Sequence, residues 1–351
     1  MLAGVLALPR GRGFVRFLPF GLAAIALVAC VPLRPAPPAP PVYGPNPPVA
    51  PADFPDPMVA PTPTGFAAYA TNSGFGPHVP TATSTSLRQW TPGPEALART
   101  PAWAGGAPFA YWAPAVHQFG SIWVLYFTAP HAIGVQCIGV ATAANPLGPY
   151  EPNNAGPIVC QGTLGGSIDP SVVVDRAGMP WLLWKSDGNC CQLPVYVWSQ
   201  RLAVDGLSLE AGTSPTAILG VDQGWEDGSS GGREPWKRLV EAPAMVDYGG
   251  TYWLFYSGSW WDSVNYAVGF ARCTSPAGGC VKPRDGPILK GSVQGAGPGG
   301  AEVFSQAGGQ KWLVYHAWAF AAPSYASGGS RTMRLSALSF ANGEPVLGGG
   351  P

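Results

Sequence analysis

The sequence predicts an all-β protein, a five-bladed β-propeller, and two observations carry that prediction. The first is internal repetition, because five segments each contain a short apolar run, a glycine-containing turn and an aromatic-rich run. The second is composition, since the 351 residues include 48 Gly, 41 Pro and 14 Trp but only 11% charged residues. Glycine and proline mark turns and aromatic residues favour strands, so many short strands joined by tight turns are expected.

The repeats are spaced by about 57 residues, except for one longer step of about 73, and they fill residues 51–351. In the third repeat, residues 171–174 are a predicted strand, 175–178 a turn and 181–184 the returning strand. Repeats of this length with three or four strands are typical of propeller blades. A β-sandwich whose hairpins merely look alike is the alternative, which the regular spacing disfavours. The repeats begin at Asp56, Ala113, Asp169, Ala242 and Gly300.

Residues 1–29 have the pattern of a signal peptide. Three arginines precede an apolar run, residues 17–29, that is too short to span a membrane comfortably. The run ends in Leu-Val-Ala-Cys, a sequence typical of a bacterial lipoprotein box, so Cys30 is expected to be lipidated. Ordinary signal-peptide cleavage, with Cys30 incidental, is the alternative. The protein is therefore expected to be exported, and either lipid-anchored to the cell membrane or secreted.

Residues 30–50 are rich in proline and are assigned to a linker that follows the lipidated Cys30. Such a stretch adopts extended polyproline conformations and cannot pack a core. The remainder, residues 51–351, is assigned to a single propeller domain. The net charge of zero excludes nucleic acid as a partner, because binding to phosphates needs a basic surface. Contact with a membrane is expected only through the lipid anchor, and a monomer is expected.

Six cysteines remain when Cys30 is set aside, and an even count in an exported chain suggests disulfide bonds. Cys137–Cys160 and Cys273–Cys280 are the favoured pairs, because each pair brackets one predicted hairpin. Cys190 and Cys191 would then be bonded as adjacent residues, a pairing that the sequence leaves open. A zinc site is the alternative, but no C-x-x-C or paired histidine spacing accompanies these cysteines.

The propeller geometry would bring three acidic residues together. Equivalent positions of the blades surround one central axis, so the first residues of the repeats should be neighbours in space. Two of these are Asp56 and Asp169, and Glu241 precedes the start of the fourth repeat. Cleavage of a glycosidic bond needs an acid that protonates the leaving oxygen and a second carboxylate that acts as base or nucleophile. A third carboxylate beside the acid helps it to keep its proton, since like charges resist joint ionisation.

Several short motifs occur in order at blade spacing, and together they are specific although each one is weak. They are Phe-Pro-Asp-Pro-Met-Val at 54–59, Tyr-Trp-Ala-Pro-Ala-Val at 111–116, Ser-Ile-Asp-Pro-Ser-Val at 167–172, Val-Glu-Ala-Pro-Ala-Met at 240–245 and Tyr-His-Ala at 315–317. On these motifs the chain resembles glycoside hydrolase family 43, the five-bladed arabinanases, arabinofuranosidases and xylosidases. The resemblance covers residues 53–345, nearly the whole predicted domain.

The resemblance implies a role for each acid. Asp56 corresponds to the general base that activates water, Asp169 to the residue that modulates the pKa of the acid and orients it, and Glu241 to the general acid. The family is inverting, which implies a separation of roughly 6.5–9.5 Å between Asp56 and Glu241. An Asp-Pro pair taken alone often does no more than open a strand, which is the structural alternative.

Two further residues are candidates for substrate binding. Trp112 occupies the second blade's position beside the axis, where a sugar ring would stack on the indole, although blade packing explains it equally well. Arg331 falls where the family has a pocket arginine, and it is expected to hold Asp169 or a sugar hydroxyl. Arg334 is the competing candidate.

The chain departs from the family pattern at Gly300. Family members usually have a histidine there that faces the axial channel, and many bind calcium or a similar ion at that place. With Gly300 in this position, the sequence predicts no metal and no other cofactor. Glu302 would be a substitute oxygen ligand, although a surface carboxylate is the simpler expectation. His316 matches a family position and is expected to be structural.

The sequence therefore predicts an exported glycoside hydrolase that cleaves α-L-arabinofuranosidic bonds, in arabinan or in arabinose side chains, with inversion. A β-xylosidase of the same family is the nearest alternative. A non-catalytic glycan-binding propeller lipoprotein is the alternative from another class, and three mutually repelling carboxylates argue against it. In each case the partner is an oligosaccharide or polysaccharide.

Overall fold

Five antiparallel β-sheets form the blades of a five-bladed β-propeller, as the sequence predicted. The computed structural model describes residues 41–50, 53–73, 78–105, 110–153, 155–229 and 232–351. The predicted signal peptide and Cys30 lie outside these residues. Pro41–Pro351 is one compact unit, and none of its described helices has the length and apolar character needed to cross a membrane.

Each blade is built from strands that are consecutive in sequence. Blade 1 contains β1 (Met58–Thr62), β2 (Gly65–Tyr69), β3 (Thr81–Ser84) and β4 (Thr91–Pro92). Blade 2 contains β5 (Trp112–Phe119), β6 (Ile122–Pro130), β7 (Gln136–Ala143) and β8 (Glu151–Pro152). Blade 3 contains β9 (Ser167–Val174), β10 (Pro180–Ser186), β11 (Tyr196–Arg201) and β12 (Thr216–Gly220). Blade 4 contains β13 (Val240–Tyr248), β14 (Thr251–Gly258) and β15 (Ala267–Cys273). Blade 5 contains β16 (Ala296–Ser305), β17 (Lys311–Trp318), β18 (Arg331–Ala341) and β19 (Glu344–Leu347).

The first strand of each blade contacts the first strands of both neighbouring blades, so β1, β5, β9, β13 and β16 close a ring. Five hydrophobic clusters hold the ring together, and each cluster joins residues of two adjacent blades. Large aromatic side chains such as Tyr126, Trp184 and Phe255 are fully buried there. Each such burial contributes about 1.5–3 kcal/mol. This closed arrangement of five sheets overturns the β-sandwich alternative.

Residues 41–50, which the sequence assigned to the linker, pack against the propeller. The backbone N–H of Tyr43 donates to the carbonyl oxygen of Ile288 at 2.8 Å. The Asn46 side-chain amide donates to the carbonyl oxygen of Leu335 at 2.9 Å. The backbone N–H of Val49 donates to the carbonyl oxygen of Met333 at 3.0 Å. The chain thus contacts blades 4 and 5 before it enters blade 1, which is why the compact unit begins at Pro41 and not at residue 51.

The five repeats share one unusual backbone feature at their first residues. All five adopt the left-handed conformation, with φ between 43° and 57°. Such φ values are uncommon for residues other than glycine, and they persist where the surrounding structure enforces them. The pairing register shifts at this point in β5, β9, β13 and β16. Because β-bulges redirect side chains and are common beside active sites, the repeat starts mark a functional end of the ring.

Three disulfide bonds lie within the described residues. Cys137 of β7 is bonded to Cys160, and Cys273 at the end of β15 is bonded to Cys280. These are the two pairs that the sequence favoured. The remaining bond joins the adjacent residues Cys190 and Cys191, the pairing that the sequence left open.

Candidate active site

A cavity of about 450 Å³ opens at the end of the ring where the innermost strands begin. Residues from all five blades line it, because each blade contributes the left-handed start of its first strand. The structure places every predicted site residue of the propeller at this cavity. They are Asp56, Trp112, Asp169, Glu241 and Arg331.

Asp56 lies among polar groups that favour its ionised form. Its Oδ2 accepts a hydrogen bond from the Thr71 hydroxyl at 2.6 Å, and Arg331 Nη1 lies 3.4 Å from the same oxygen. Burial alone would raise the pKa of Asp56, but the Arg331 guanidinium and the neighbouring hydrogen bonds outweigh it and hold the pKa well below its usual range. The carboxylate is 20% exposed, so it can meet a molecule in the cavity.

The backbone of Asp56 is fixed by His316, a residue expected to be structural. The Asp56 N–H donates to Nδ1 of His316 at 3.1 Å. Burial lowers the pKa of His316, so its imidazole is neutral and Nδ1 can accept this bond. The ring stacks on Tyr266 with 5.9 Å between centroids. His316 therefore positions the carboxylate and holds the left-handed backbone in place.

Arg331 contacts Asp56 and not Asp169, which corrects the expected pairing. Its Cζ lies 4.7 Å from the ring centre of Trp261 and 5.5 Å from that of Tyr325, so aromatic faces surround the buried guanidinium. Cation–π contacts of this kind favour the charged form and fix its position. The competing candidate, Arg334, donates instead to the carbonyl oxygens of Asn46 and Gln294.

Glu241 is held by two side chains that the sequence analysis missed. Lys185 Nζ donates to Glu241 Oε2 at 2.8 Å, and the Tyr266 hydroxyl donates to Oε1 at 2.8 Å. Although burial alone would lower the pKa of Lys185, the charges of Glu241 and Asp187 outweigh it and raise the pKa, so the ammonium stays charged. Burial and the nearby charge of Glu241 raise the pKa of Tyr266, which remains a neutral donor. Glu241 is therefore fixed in orientation at both oxygens.

Asp169 lies close enough to Glu241 for the two charges to interact strongly. Burial and the charge of Glu241 raise the pKa of Asp169, and Lys185 opposes this only in part. Oδ2 of Asp169 accepts the backbone N–H of Ala242 at 2.9 Å, which ties it to the residue that follows Glu241. Because two buried carboxylates resist joint ionisation, this pair retains a proton where Asp56 does not.

Gly300, which stands where the family has a histidine, is required by close packing. A Cβ at this residue would lie 2.4 Å from Asp56 Oδ1 and 2.7 Å from the His316 ring. A Cβ at the preceding Gly299 would lie 2.0 Å from the Tyr266 ring. The two glycines therefore let Asp56, His316 and Tyr266 approach the innermost strand of blade 5.

Gly300 removes the protein ligand that the resemblance implied for an axial metal. In the described ranges no three His, Cys, Asp or Glu side chains are grouped to hold an ion, and Gly300 offers no ligand. Glu302 lines the cavity, contrary to the expected surface position, and its Oε1 accepts the Val303 N–H at 2.8 Å. Burial raises the pKa of Glu302 to about 7. We therefore assign no step of the reaction to a metal.

Gly300→Ala is expected to lower both kcat and stability. The added methyl would displace Asp56 or His316 and add backbone strain, so we expect a loss of about 2–3 kcal/mol in unfolding free energy and at least about tenfold in kcat. Gly249→Ala is the matched control, because its φ is 60° and a Cβ there meets no atom within 4 Å. Chemical denaturation and steady-state kinetics measure both effects. Equal losses in the two variants would contradict this account of Gly300.

A family model and a curated relative match this chain. The model for glycosyl hydrolases family 43 matches residues 45–345. The relative is a protein of Aspergillus niger called Beta-D-galactofuranosidase xynD, which is 29% identical over 197 residues. That match covers 55% of this chain and 49% of the relative, so the chain spans about half of the relative's length.

Solved structures with the same fold cover most of the chain. A thermostable family-43 glycoside hydrolase has a TM-score of 0.72 at 24% identity, covering 88% of this chain and 96% of its own. An endo-1,4-beta-xylanase from Bacteroides thetaiotaomicron has a TM-score of 0.71 at 23% identity, with 87% and 97% covered. The Cellvibrio cellulosa alpha-L-arabinanase complexed with arabinohexaose has a TM-score of 0.64 at 20% identity, with 84% and 95% covered. At these identities the likeness shows the propeller fold, while the family model matches most of the sequence. The chain belongs to glycosyl hydrolase family 43.

Proposed function

We propose that this protein hydrolyses α-L-arabinofuranosidic bonds, in arabinan or in arabinose side chains, with inversion at the anomeric carbon. The observation that carries the proposal is the contrast between two kinds of carboxylate in one cavity. Asp56 is held ionised by Arg331, while the pair of Asp169 and Glu241 retains a proton. The cavity volume of about 450 Å³ suits a small sugar unit.

In the proposed reaction Asp56 takes a proton from a water molecule, and the water oxygen attacks the anomeric carbon. The bond from that carbon to the leaving oxygen breaks as Glu241 gives that oxygen its proton. Burial and the charge of Glu241 keep a proton on the Asp169–Glu241 pair before the reaction, and Lys185 stabilises the Glu241 carboxylate formed afterwards. Arg331 keeps Asp56 oriented and ionised between turnovers. One bond to oxygen forms and one breaks, so a single displacement inverts the configuration.

A second candidate substrate is the β-D-galactofuranoside, which the name of the Aspergillus niger relative favours. The furanose rings of α-L-arabinose and β-D-galactose share their configuration and differ in the exocyclic group. A β-xyloside is the third candidate, because one structural neighbour is called a xylanase.

Aryl glycosides of the three sugars, followed by arabinan, test the proposal directly. Turnover is expected on the α-L-arabinofuranoside, with the α-anomer consumed and the inverted sugar as first product by NMR. A higher kcat/KM on either of the other two sugars would mean that this sugar, and not arabinose, is the substrate. Sugar binding without any turnover would favour the glycan-binding propeller.

The pH profile of kcat/KM follows from the direction of the two pKa shifts. Because the pKa of Asp56 is lowered, the base stays ionised and activity should persist well below pH 5. Because the pKa of Asp169 is raised, the carboxylate pair keeps its proton at neutral pH and activity should fall only as the solution becomes basic. Asp169→Asn should move this basic limb to lower pH, since asparagine neither holds that proton nor repels the ionised Glu241. An unmoved basic limb in Asp169→Asn would contradict the assignment.

We also propose that the protein is exported and anchored through a lipid on Cys30. The support is the sequence pattern alone, because residues 1–40 lie outside the described part of the chain. Labelling of cells with radioactive palmitate should mark the wild-type protein and not Cys30→Ser. A labelled Cys30→Ser protein, or an unlabelled wild type found free in the medium, would favour ordinary secretion.

A further inference from the structure

The disulfide bond between Cys190 and Cys191 lies at the edge of the active-site cavity. Cys190 lines the cavity together with Asp187 and Asn189, and both cysteines are exposed. None of the residues in the other two disulfides lines this cavity. The Cys190 end of this bond is therefore available to a molecule that enters the cavity.

The segment that carries the disulfide is held firmly against blade 3. The backbone N–H of Asp187 donates to the carbonyl oxygen of Gly166 at 3.0 Å, and that of Leu193 donates to Gly188 at 2.8 Å. A Cβ at Gly188 would lie 2.5 Å from the carbonyl oxygen of Pro194, so the loop is closely packed. A bond between adjacent residues also removes the rotamer freedom of both side chains. The sulfur atoms thus form a preorganised surface, which binds at a lower entropic cost than a mobile one.

A polar group without a partner lies next to this surface. The Oδ1 atom of Asn189 is buried and accepts no hydrogen bond from the described residues. Buried amide oxygens nearly always accept a hydrogen bond, so we expect the Asn189 side chain to turn its Oδ1 toward a donor from a molecule bound in the cavity. A sugar unit offers both chemistries, because its C–H face packs on polarisable sulfur and its hydroxyl edge donates to an amide.

We propose that the Cys190–Cys191 disulfide is a substrate contact that packs against the sugar unit on the leaving-group side of the scissile bond. We assign the disulfide to the leaving-group side because of the contacts of Lys185. Its Nζ atom is 2.8 Å from Oε2 of Glu241 and 3.6 Å from Oδ1 of Asp187, which lies three residues before Cys190. The disulfide wall therefore lies next to the proposed proton donor, while Asp56 is held by Arg331 and its aromatic neighbours. The inference rests on the proposed function, because the acid defines the leaving side.

The double variant C190A/C191A tests this contact, with C273A/C280A as the matched control that removes a disulfide outside the cavity. The substrates are arabinotriose, whose leaving group is a sugar, and methyl α-L-arabinofuranoside, whose leaving group is not. We expect kcat/KM on arabinotriose to fall about five- to tenfold through KM, and to change less than about twofold on the methyl glycoside. C273A/C280A should leave kcat/KM unchanged on both substrates. Asn189→Ala, which keeps the disulfide, should also raise KM for arabinotriose only.

Binding of arabinotriose to Asp56→Asn, measured by calorimetry, separates this inference from the proposed function. C190A/C191A in that background should raise Kd by the same five- to tenfold factor. A wild type that cleaves no arabinofuranoside would refute the function, yet weakened binding would still support the contact. Unchanged KM and Kd in a variant with a normal melting curve would overturn the contact, as would equal losses on both substrates. If C190A/C191A does not fold, the Asn189→Ala result decides.

Discussion

Asp56→Asn is expected to lower kcat by about a thousandfold on the preferred furanoside while changing substrate affinity only a few fold. Positioned acid–base groups contribute about 10²–10⁴-fold to rate, and asparagine cannot accept the proton of the attacking water. The amide keeps the shape of the carboxylate and can still accept the hydrogen bond from Thr71. The loss should therefore appear in kcat and not in binding.

Loss of the Asp56 charge also leaves Arg331 buried without its closest anionic partner. Breaking a buried ion pair costs up to about 3–5 kcal/mol, although the aromatic rings around Arg331 should reduce this cost. Thermal denaturation must accordingly show that Asp56→Asn is folded at the assay temperature. Asp247→Asn is the matched control, because it breaks the surface ion pair with Arg176 and should leave kcat unchanged. Comparable turnover in Asp56→Asn and Asp247→Asn would remove Asp56 from the mechanism.

The three acids were accessible to sequence reasoning because the repeat has a period. A residue at the start of one blade has counterparts at the starts of the others, so the positions of Asp56 and Asp169 could be superposed before any coordinates were known. The backbone bears out this register, since all five starts share the left-handed conformation. The repeat therefore predicts which residues of each blade's innermost strand lie close together, but it predicts no positions on the other strands.

The residues that hold the acids come from second strands and loops, where the repeat gives no register. Lys185 lies at the end of β10 and pairs with Ile168, the residue before Asp169. His316 of β17 pairs with Gly299 in the same way. A charged residue directly after the buried run 182–184 was the available signal for Lys185, because a buried lysine needs an anionic partner. Tyr266 begins the stretch 266–272, which also matches the family, but its contact with Glu241 depends on how its loop enters β15, which the sequence does not predict.

At residues 41–50 and at Glu302, local sequence composition led to a wrong expectation about position in the fold. Proline-rich sequence disfavours a core of its own, yet residues 41–50 pack on a surface that blades 4 and 5 already provide. Glu302 is charged in sequence but lies two positions after a repeat start, and there the strand lines the cavity. In both cases tertiary context overrides a preference that holds for isolated segments.

Glu241→Gln is expected to impair hydrolysis in proportion to how much the leaving group needs a proton. On arabinotriose, whose leaving group is a weakly acidic alcohol, kcat/KM should fall by about a thousandfold. On a dinitrophenyl arabinofuranoside, whose leaving group departs as a stable anion, the fall should stay within about tenfold. Glutamine can accept from Lys185 through its single oxygen and donate from its NH2 group to the Tyr266 hydroxyl oxygen, so we expect the change to remove the transferable proton without unfolding the protein.

A plot of log kcat/KM against leaving-group pKa separates a proton donor from a residue that only shapes the cavity. The slope should steepen in Glu241→Gln because the leaving oxygen then carries its full negative charge in the transition state. Glu302→Gln is the matched control, since it removes a carboxyl group that also lines the cavity but has no assigned role in proton transfer. Its slope should equal that of the wild type. A uniform loss across all leaving groups in Glu241→Gln would mean that Glu241 acts through position or charge, and the proton would then have to come from another cavity carboxyl with a raised pKa, such as Asp169 or Glu302.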